Sequence, residues 1–340
     1  TLSYTIDIYR GKLEPAKNIL DFAFFVSFFP QLVAGPIVRA LDFIPQIYEK
    51  YRITTVELNR AYFLIIVGLV KKIMISDYLA ENFVDRIFES PTEHTGFENL
   101  LAVYGYALQI YCDFSGYTDI AIGIALLLGF RLPLNFNSPY KALSITDFWR
   151  RWHISLSSWL RDYLYISLGG NRKGKTMTRV NLMITMLLGG LWHGAHLKFV
   201  LWGGMHGAAL IFHKTWSEIT RDKIEIPRGL AILITFHFVC LCWIFFRASD
   251  VFTAKMILLQ IIDNFQFYSI FNVVYEQKIV ILLLLLGYIG HFLSTDVKLL
   301  LQYTFTSLPD FVKSLLAVFI IIFLFQVKSS GIQPFIYFQF

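Results

Sequence analysis

The chain has 340 residues, 56% hydrophobic and 17% aromatic, with 16% charged, a net charge of +6 and a mean hydropathy of +0.56. An ordinary water-soluble globule runs near half apolar and about a quarter charged, so these values exclude one and indicate a polytopic membrane protein. Its Lys and Arg concentrate in short connections such as residues 171–179, which is the bias of cytoplasmic loops and no sign of a nucleic-acid partner.

The chain opens at Thr1 without a methionine, in TLSYTIDIYRG, and we expect further membrane spans ahead of it. Residues 21–36 are Phe-rich but interrupted at Pro30 and Gly35-Pro36, which predicts a re-entrant or buried segment. Residues 41–50 read as a short interfacial amphipathic piece. Residues 56–79 would span except for Lys71 and Lys72, which are expected at the cytoplasmic end with their stems snorkelling to the headgroups.

Residues 100–111 and 120–130 read as two apolar helices separated by CDFSGYTD, whose Asp113 and Asp119 are costly in a bilayer and are expected inside protein. FRLPLNFNSPY, residues 130–140, carries two prolines and two asparagines and predicts a structured turn. Residues 145–167 follow as one amphipathic helix with Trp149, His153, Leu156, Leu160 and Leu164 on a single stripe. Residues 180–213 hold two apolar passes or one broken one, punctuated by glycines that permit close approach. Residues 229–246, 279–293 and 311–327 are span candidates, and 248–267 is amphipathic. Neither an internal repeat nor a soluble domain is evident, so residues 1–340 are read as one membrane-embedded domain.

Chemistry concentrates between Ser144 and Trp216, where two histidines sit in different settings. His193 lies in the apolar run LLGGLWHGAH. A membrane histidine often just bonds a carbonyl on a neighbouring helix, but the flanking glycines and Trp192 leave space for a substrate. Imidazole is the natural general base near neutral pH. His153, beside Trp149, Arg150, Arg151 and Trp152, reads on its own more readily as an interfacial anchor than as a catalytic group. His193 and His196 have a metal-like spacing, yet no Cys or carboxylate completes a site, and no metal is expected. The G-x-S-x-G elbow, the P-loop, G-x-G-x-x-G and HExxH are all missing, which leaves histidine-based transfer without a covalent serine. Cys112, Cys240 and Cys242 lie in apolar sequence and point to no disulfide. A transporter or flippase without transfer chemistry is the alternative reading of the broken helices and the polar insert, and an inactive scaffold is a third.

Several long, ordered segments carry a resemblance: FFPQLVAGPIVR, QIYCDFSGYTDIAIGIALLLGF, LPLNFNSPY, FWRRWHISLSSWLRDYLYISLGGN, GLWHGA with LWGGMHG, and the final FIYFQF. Together they resemble the membrane-bound O-acyltransferase (MBOAT) family, in particular its bacterial branch of alginate O-acetylases and teichoic acid D-alanyl transferases. The resemblance implies an all-α ring of tilted transmembrane helices around a central tunnel, with interfacial and re-entrant helices. It implies that His193 matches the family's catalytic histidine and His153 the upstream supporting position. His196 stands where the alginate enzymes are expected to have Asn.

Under that reading the protein is an O-acetyltransferase of an exported or cell-envelope polysaccharide (alginate-like, cellulose or peptidoglycan). It would sit as a multi-pass protein in the bacterial plasma membrane among lipids, bind no resident cofactor, and use acetyl-CoA or another acyl thioester. An extracytoplasmic acetyltransferase is its expected partner. Trp149, Trp192, Asp113, Ser115, Tyr117, Asp119, Asn135 and His206 are candidates for the substrate passage. Arg150, Arg151, Arg172 and Lys173 are candidates for attracting an anionic donor, although topology alone explains such basic residues.

Overall fold

The computed structural model describes residues 2–221, 223 and 226–327, and among these every regular element is a helix. The FIYFQF ending, residues 335–340, lies outside the described residues. In chain order the α-helices are α1 Leu2–Tyr9, α2 Ile19–Ser27, α3 Ala40–Ile47, α4 Thr55–Leu69, α5 Asp85–Glu89, α6 Gly96–Leu127, α7 Ile145–Arg151 and α8 Ile154–Trp159. They continue with α9 Gly174–His193, α10 Leu197–Thr220, α11 Arg228–Arg247, α12 Val251–Asp263, α13 Ile270–Glu276, α14 Lys278–Phe292, α15 Thr295–Ser307 and α16 Asp310–Val327. π-Helical turns fill Val70–Asp77, Ala80–Val84 and Leu160–Tyr165.

Among the described residues, α6 and α11 are each long and apolar enough to cross a membrane. Two bent pairs pass the same test jointly, one running from α12 through Phe267–Glu276 with an 89° bend and one from α14 to α15 with a 101° bend. Such bends are the broken or re-entrant geometry that a membrane tolerates where backbone is packed in protein.

The centre is α6, whose 32 residues are mostly buried. The sequence had suggested two helices here, parted by CDFSGYTD. The structure instead keeps the helix continuous, because each carboxylate finds a cation on the neighbouring segment. Lys72 Nζ lies 2.6 Å from Asp113 Oδ1 and 2.8 Å from Asp77 Oδ1, and Lys71 Nζ lies 2.6 Å from Asp119 Oδ2. The lysines therefore do not snorkel to the headgroups as expected. They turn inward and neutralise Asp113, which is only 2% exposed. Two glycines permit this approach: a Cβ on Gly68 would sit 2.6 Å from the Gly116 carbonyl oxygen, and one on Gly116 2.8 Å from that of Gly68.

A second correction concerns residues 145–167, which do not form one helix. The ladder stops after Arg151, and His153 takes a left-handed conformation (φ 43°, ψ 55°) before α8 begins. The prolyl turn supplies the replacement hydrogen bonds. Asn137 N–H donates to the Arg151 carbonyl at 2.9 Å, and Ile154 N–H donates to the Asn135 carbonyl at 2.9 Å. That turn is itself anchored: Tyr140 N–H donates to His291 Nε2 (3.1 Å), its hydroxyl donates to the Ala107 carbonyl (2.5 Å), and Trp243 Nε1–H donates to the Tyr140 hydroxyl (3.2 Å). Between α9 and α10 the break at residues 194–196 separates two helices that fold back on each other, with His196 capping α10 through Lys198 N–H.

Candidate active site

The break between α7 and α8 places His153 in the interior, 3% exposed, with its ring edge-on to Phe114 of α6 at 4.6 Å. A backbone at φ 43° is uncommon outside glycine and persists only where surroundings over-determine it, a condition met often at functional sites. Here the surroundings are Asn135, which is fully buried. Its Oδ1 lies 3.1 Å from His153 Nδ1 and accepts hydrogen bonds from Ser155 N–H (3.2 Å) and the Ser155 hydroxyl (2.8 Å).

His193 is the last residue of α9, partly buried in a cage of rings. Trp202 of α10 stands edge-on to it at 5.2 Å, Phe246 of α11 at 5.1 Å, and Trp192 at 5.1 Å. The two histidines meet through one aromatic layer. Trp152, adjacent to His153, packs on Trp243 (5.0 Å), and Trp243 packs on Phe246 (5.4 Å) and Trp202 (6.1 Å), both of which touch His193. A relay of touching rings thus runs from the residue beside His153 to His193.

A family model described as "MBOAT, membrane-bound O-acyltransferase family" matches residues 16–252. The chain belongs to the membrane-bound O-acyltransferase family. It is 46% identical over 249 residues to the peptidoglycan O-acetyltransferase of Helicobacter pylori, covering 71% of this chain and 46% of that protein. It is 46% identical over 250 residues to a Pseudomonas aeruginosa protein named "Probable alginate O-acetylase AlgI", covering 74% of this chain and 47% of that protein. With the teichoic acid D-alanyltransferase of Bacillus subtilis it shares 30% identity over 246 residues, covering 68% and 62%. The chain spans about half the length of the first two relatives.

The other candidates of this MBOAT chain fall into three groups. His206 is completely buried, caged by Trp202 (4.8 Å), Trp149 (5.1 Å), Phe238 (5.8 Å) and Phe148 (6.0 Å). Both its ring nitrogens, and the Nε1 atoms of Trp149 and Trp202, lack hydrogen-bond partners among the described residues. Asp113 and Asp119 are occupied by the lysine pairs above, Ser115 is buried, and the Tyr117 hydroxyl donates to the Leu32 carbonyl at 3.0 Å. Of the basic residues, Arg150, Arg172 and Lys173 are exposed, and Arg151 is tied to Asp147 at 2.8 Å.

Trp192 is 58% exposed and turns away from the centre, while Trp202 is 2% exposed and bridges His193 to His206. The reason is helical geometry, since a residue next to His193 in sequence points about 100° away from it. The i,i+4 spacing of Trp202 and His206, which puts them on one face, was the available signal for this residue. Beside the cage an apolar cavity of about 670 Å³ is lined by Met205, His213, Trp216, Thr235 and Phe238, among others. Met205 and Phe238 also adjoin the core around His206. Neither His153 nor His193 lines this cavity.

Proposed function

We propose that the chain carries the acyl-transfer centre of a membrane enzyme. The enzyme would move acetyl groups from a cytoplasmic thioester, acetyl-CoA or another acyl carrier, toward O-acetylation of an exported or cell-envelope polysaccharide. The observation that carries this reading is the relay of packed aromatic rings that links His153 to His193 in an O-acyltransferase-family chain. Relatives named for peptidoglycan and alginate acetylation stand at 46% identity, against 30% for a D-alanyltransferase, which favours acetyl as the transferred group. Nothing in the comparisons favours a transporter.

In the proposed reaction His193 takes the proton of an acceptor hydroxyl. The hydroxyl oxygen forms a bond to the thioester carbonyl carbon, and the carbon–sulfur bond breaks. The departing thiolate receives the proton from the His193 imidazolium. His153 orients the reacting groups. Trp149, Trp202 and His206 line the approach, and the ring of helices around a tunnel, in a single domain of the bacterial plasma membrane, gives donor and acceptor access from opposite faces. An extracytoplasmic acetyltransferase partner would receive the acetyl group on the far side.

The test uses the full-length enzyme in membrane vesicles with radiolabelled acetyl thioester. His193→Ala should lower label transfer about 10²- to 10⁴-fold, the usual worth of a general base, while the protein stays folded in the membrane. Translocation of label at the wild-type rate by His193→Ala would instead identify a transporter.

A further inference from the structure

The geometry points to Asn135 as a positioning residue that fixes His153 as the tautomer protonated on Nδ1, so that His153 meets substrate through a lone pair on Nε2. The inference rests on the acyl-transfer reading for its functional consequence, but the tautomer follows from hydrogen bonds alone. A backbone N–H can only donate. Ser155 N–H lies 3.2 Å from the Asn135 side-chain atom Oδ1, so that atom is the amide oxygen and not the nitrogen. An amide oxygen can only accept. The His153 Nδ1 that lies 3.1 Å from it therefore carries the hydrogen, and in the neutral ring Nε2 is left as the acceptor.

The grip is tight because one residue holds three consecutive positions. The Asn135 carbonyl takes Ile154 N–H, and its side chain takes the His153 ring together with the Ser155 N–H and hydroxyl. These bonds offset the strain of the left-handed backbone at His153. An imidazole oriented at one nitrogen by a carbonyl, with the other nitrogen aimed at chemistry, is the base-and-orienter pairing seen where histidine handles protons.

A consequence separates the two substrates. A thioester carbonyl offers only lone pairs, so a neutral His153 presenting Nε2 cannot hydrogen-bond to it. An acceptor hydroxyl has a hydrogen to give. His153 therefore orients the hydroxyl-bearing acceptor and does not polarise the donor. Where the acceptor carries neighbouring hydroxyls, as saccharides do, one is held by His153 while another reacts at His193.

The tautomer is read directly by solid-state NMR of the full-length protein in lipid, labelled with ¹⁵N,¹³C-histidine and assigned by difference with His153→Gln. The expected His153 signal is the Nδ1–H form, and an Nε2–H signal would overturn the inference whether or not the protein transfers acetyl. Function is then read from acetyl transfer by Asn135→Asp and Asn135→Leu. The aspartate keeps an oxygen for Nδ1–H, so its transfer should exceed that of Asn135→Leu. A carboxylate also stabilises the imidazolium, so the acid limb of the pH–rate profile should move to higher pH. The comparison is made against the wild-type profile. The leucine should lose about 10- to 100-fold, the usual cost of removing a group that holds a histidine ring and its tautomer, with the loss in the acceptor's KM or kcat and not in the donor's KM. Should leucine fail to fold, the aspartate profile decides: an unmoved acid limb contradicts the assignment. A wild-type enzyme that transfers nothing would sink the functional reading and leave the NMR result standing.

Discussion

Two polar islands lie within this apolar chain, and they are built differently. Where the π-helical stretch Val70–Asp77 meets α6, the chain draws charges into its partly buried interior and matches each one: Lys71 with Asp119, and Lys72 with Asp113 and Asp77. Around Trp202 it buries neutral imidazoles among aromatic rings and leaves the His206 nitrogens without partners among the described residues. A buried charge stripped of its partner destabilises strongly, so the first island is fixed by its own energetics. A neutral ring in an aromatic cage costs far less to keep, and its unmatched nitrogens remain usable by a substrate. Charge in the sequence therefore marks the scaffold here, and the proposed chemistry falls to uncharged histidine.

The sharpest way to break that contrast is Asp119→Leu, which leaves the partly buried Lys71 without its carboxylate. It should destabilise the protein by about 3 kcal/mol, read as denaturant or thermal stability in detergent, and adding Lys71→Leu should restore most of the loss. A stable Asp119→Leu protein that has lost transfer would move this carboxylate into the reaction. His206→Phe should act in the opposite direction. Replacing a buried imidazole that lacks partners by a ring of similar shape should leave stability unchanged or raise it by about 1 kcal/mol in the same assay. A large loss would mean that the imidazole is bonded in the folded protein.

Much of this organisation was legible in the sequence. The apolar runs located α11, α14 and α16 within a residue or two, and the glycine-rich break announced the α9–α10 turn. The Pro- and Asn-rich stretch before Lys141 was readable as a turn because proline and a positive-φ Ser138 cannot continue a helix. Two features were not legible. Helical continuity through Asp113 depends on Lys72, a partner whose proximity only tertiary structure reveals. The break at His153 depends on backbone groups of Asn135 and Asn137, and nothing in a regular i,i+4 stripe from Trp149 to Leu164 announces it. The same break carries Asn135 to His153. The role of Trp202 was hidden by the more prominent Trp192 beside His193.

Orientation offers the smallest perturbation. The basic cluster expected as a loop over residues 171–179 instead spans a short connection and the first turns of α9, and Gly174 itself sits at φ +86°, so a reporter belongs at the exposed Lys173. Lys173→Cys should stay unlabelled by an impermeant thiol reagent in intact cells. Ready labelling would reverse the assigned topology.

The most direct test of a single reaction centre is a double-mutant cycle on acetyl transfer with His153→Ala, His193→Ala and the combined variant. Residues acting on one event lose their effects together and do not multiply. His193→Ala should cost about 10²- to 10⁴-fold and His153→Ala less, with the double variant no slower than His193→Ala alone. Losses that multiply in the double variant would show that the two histidines act at separate steps or separate sites, and would contradict the shared centre.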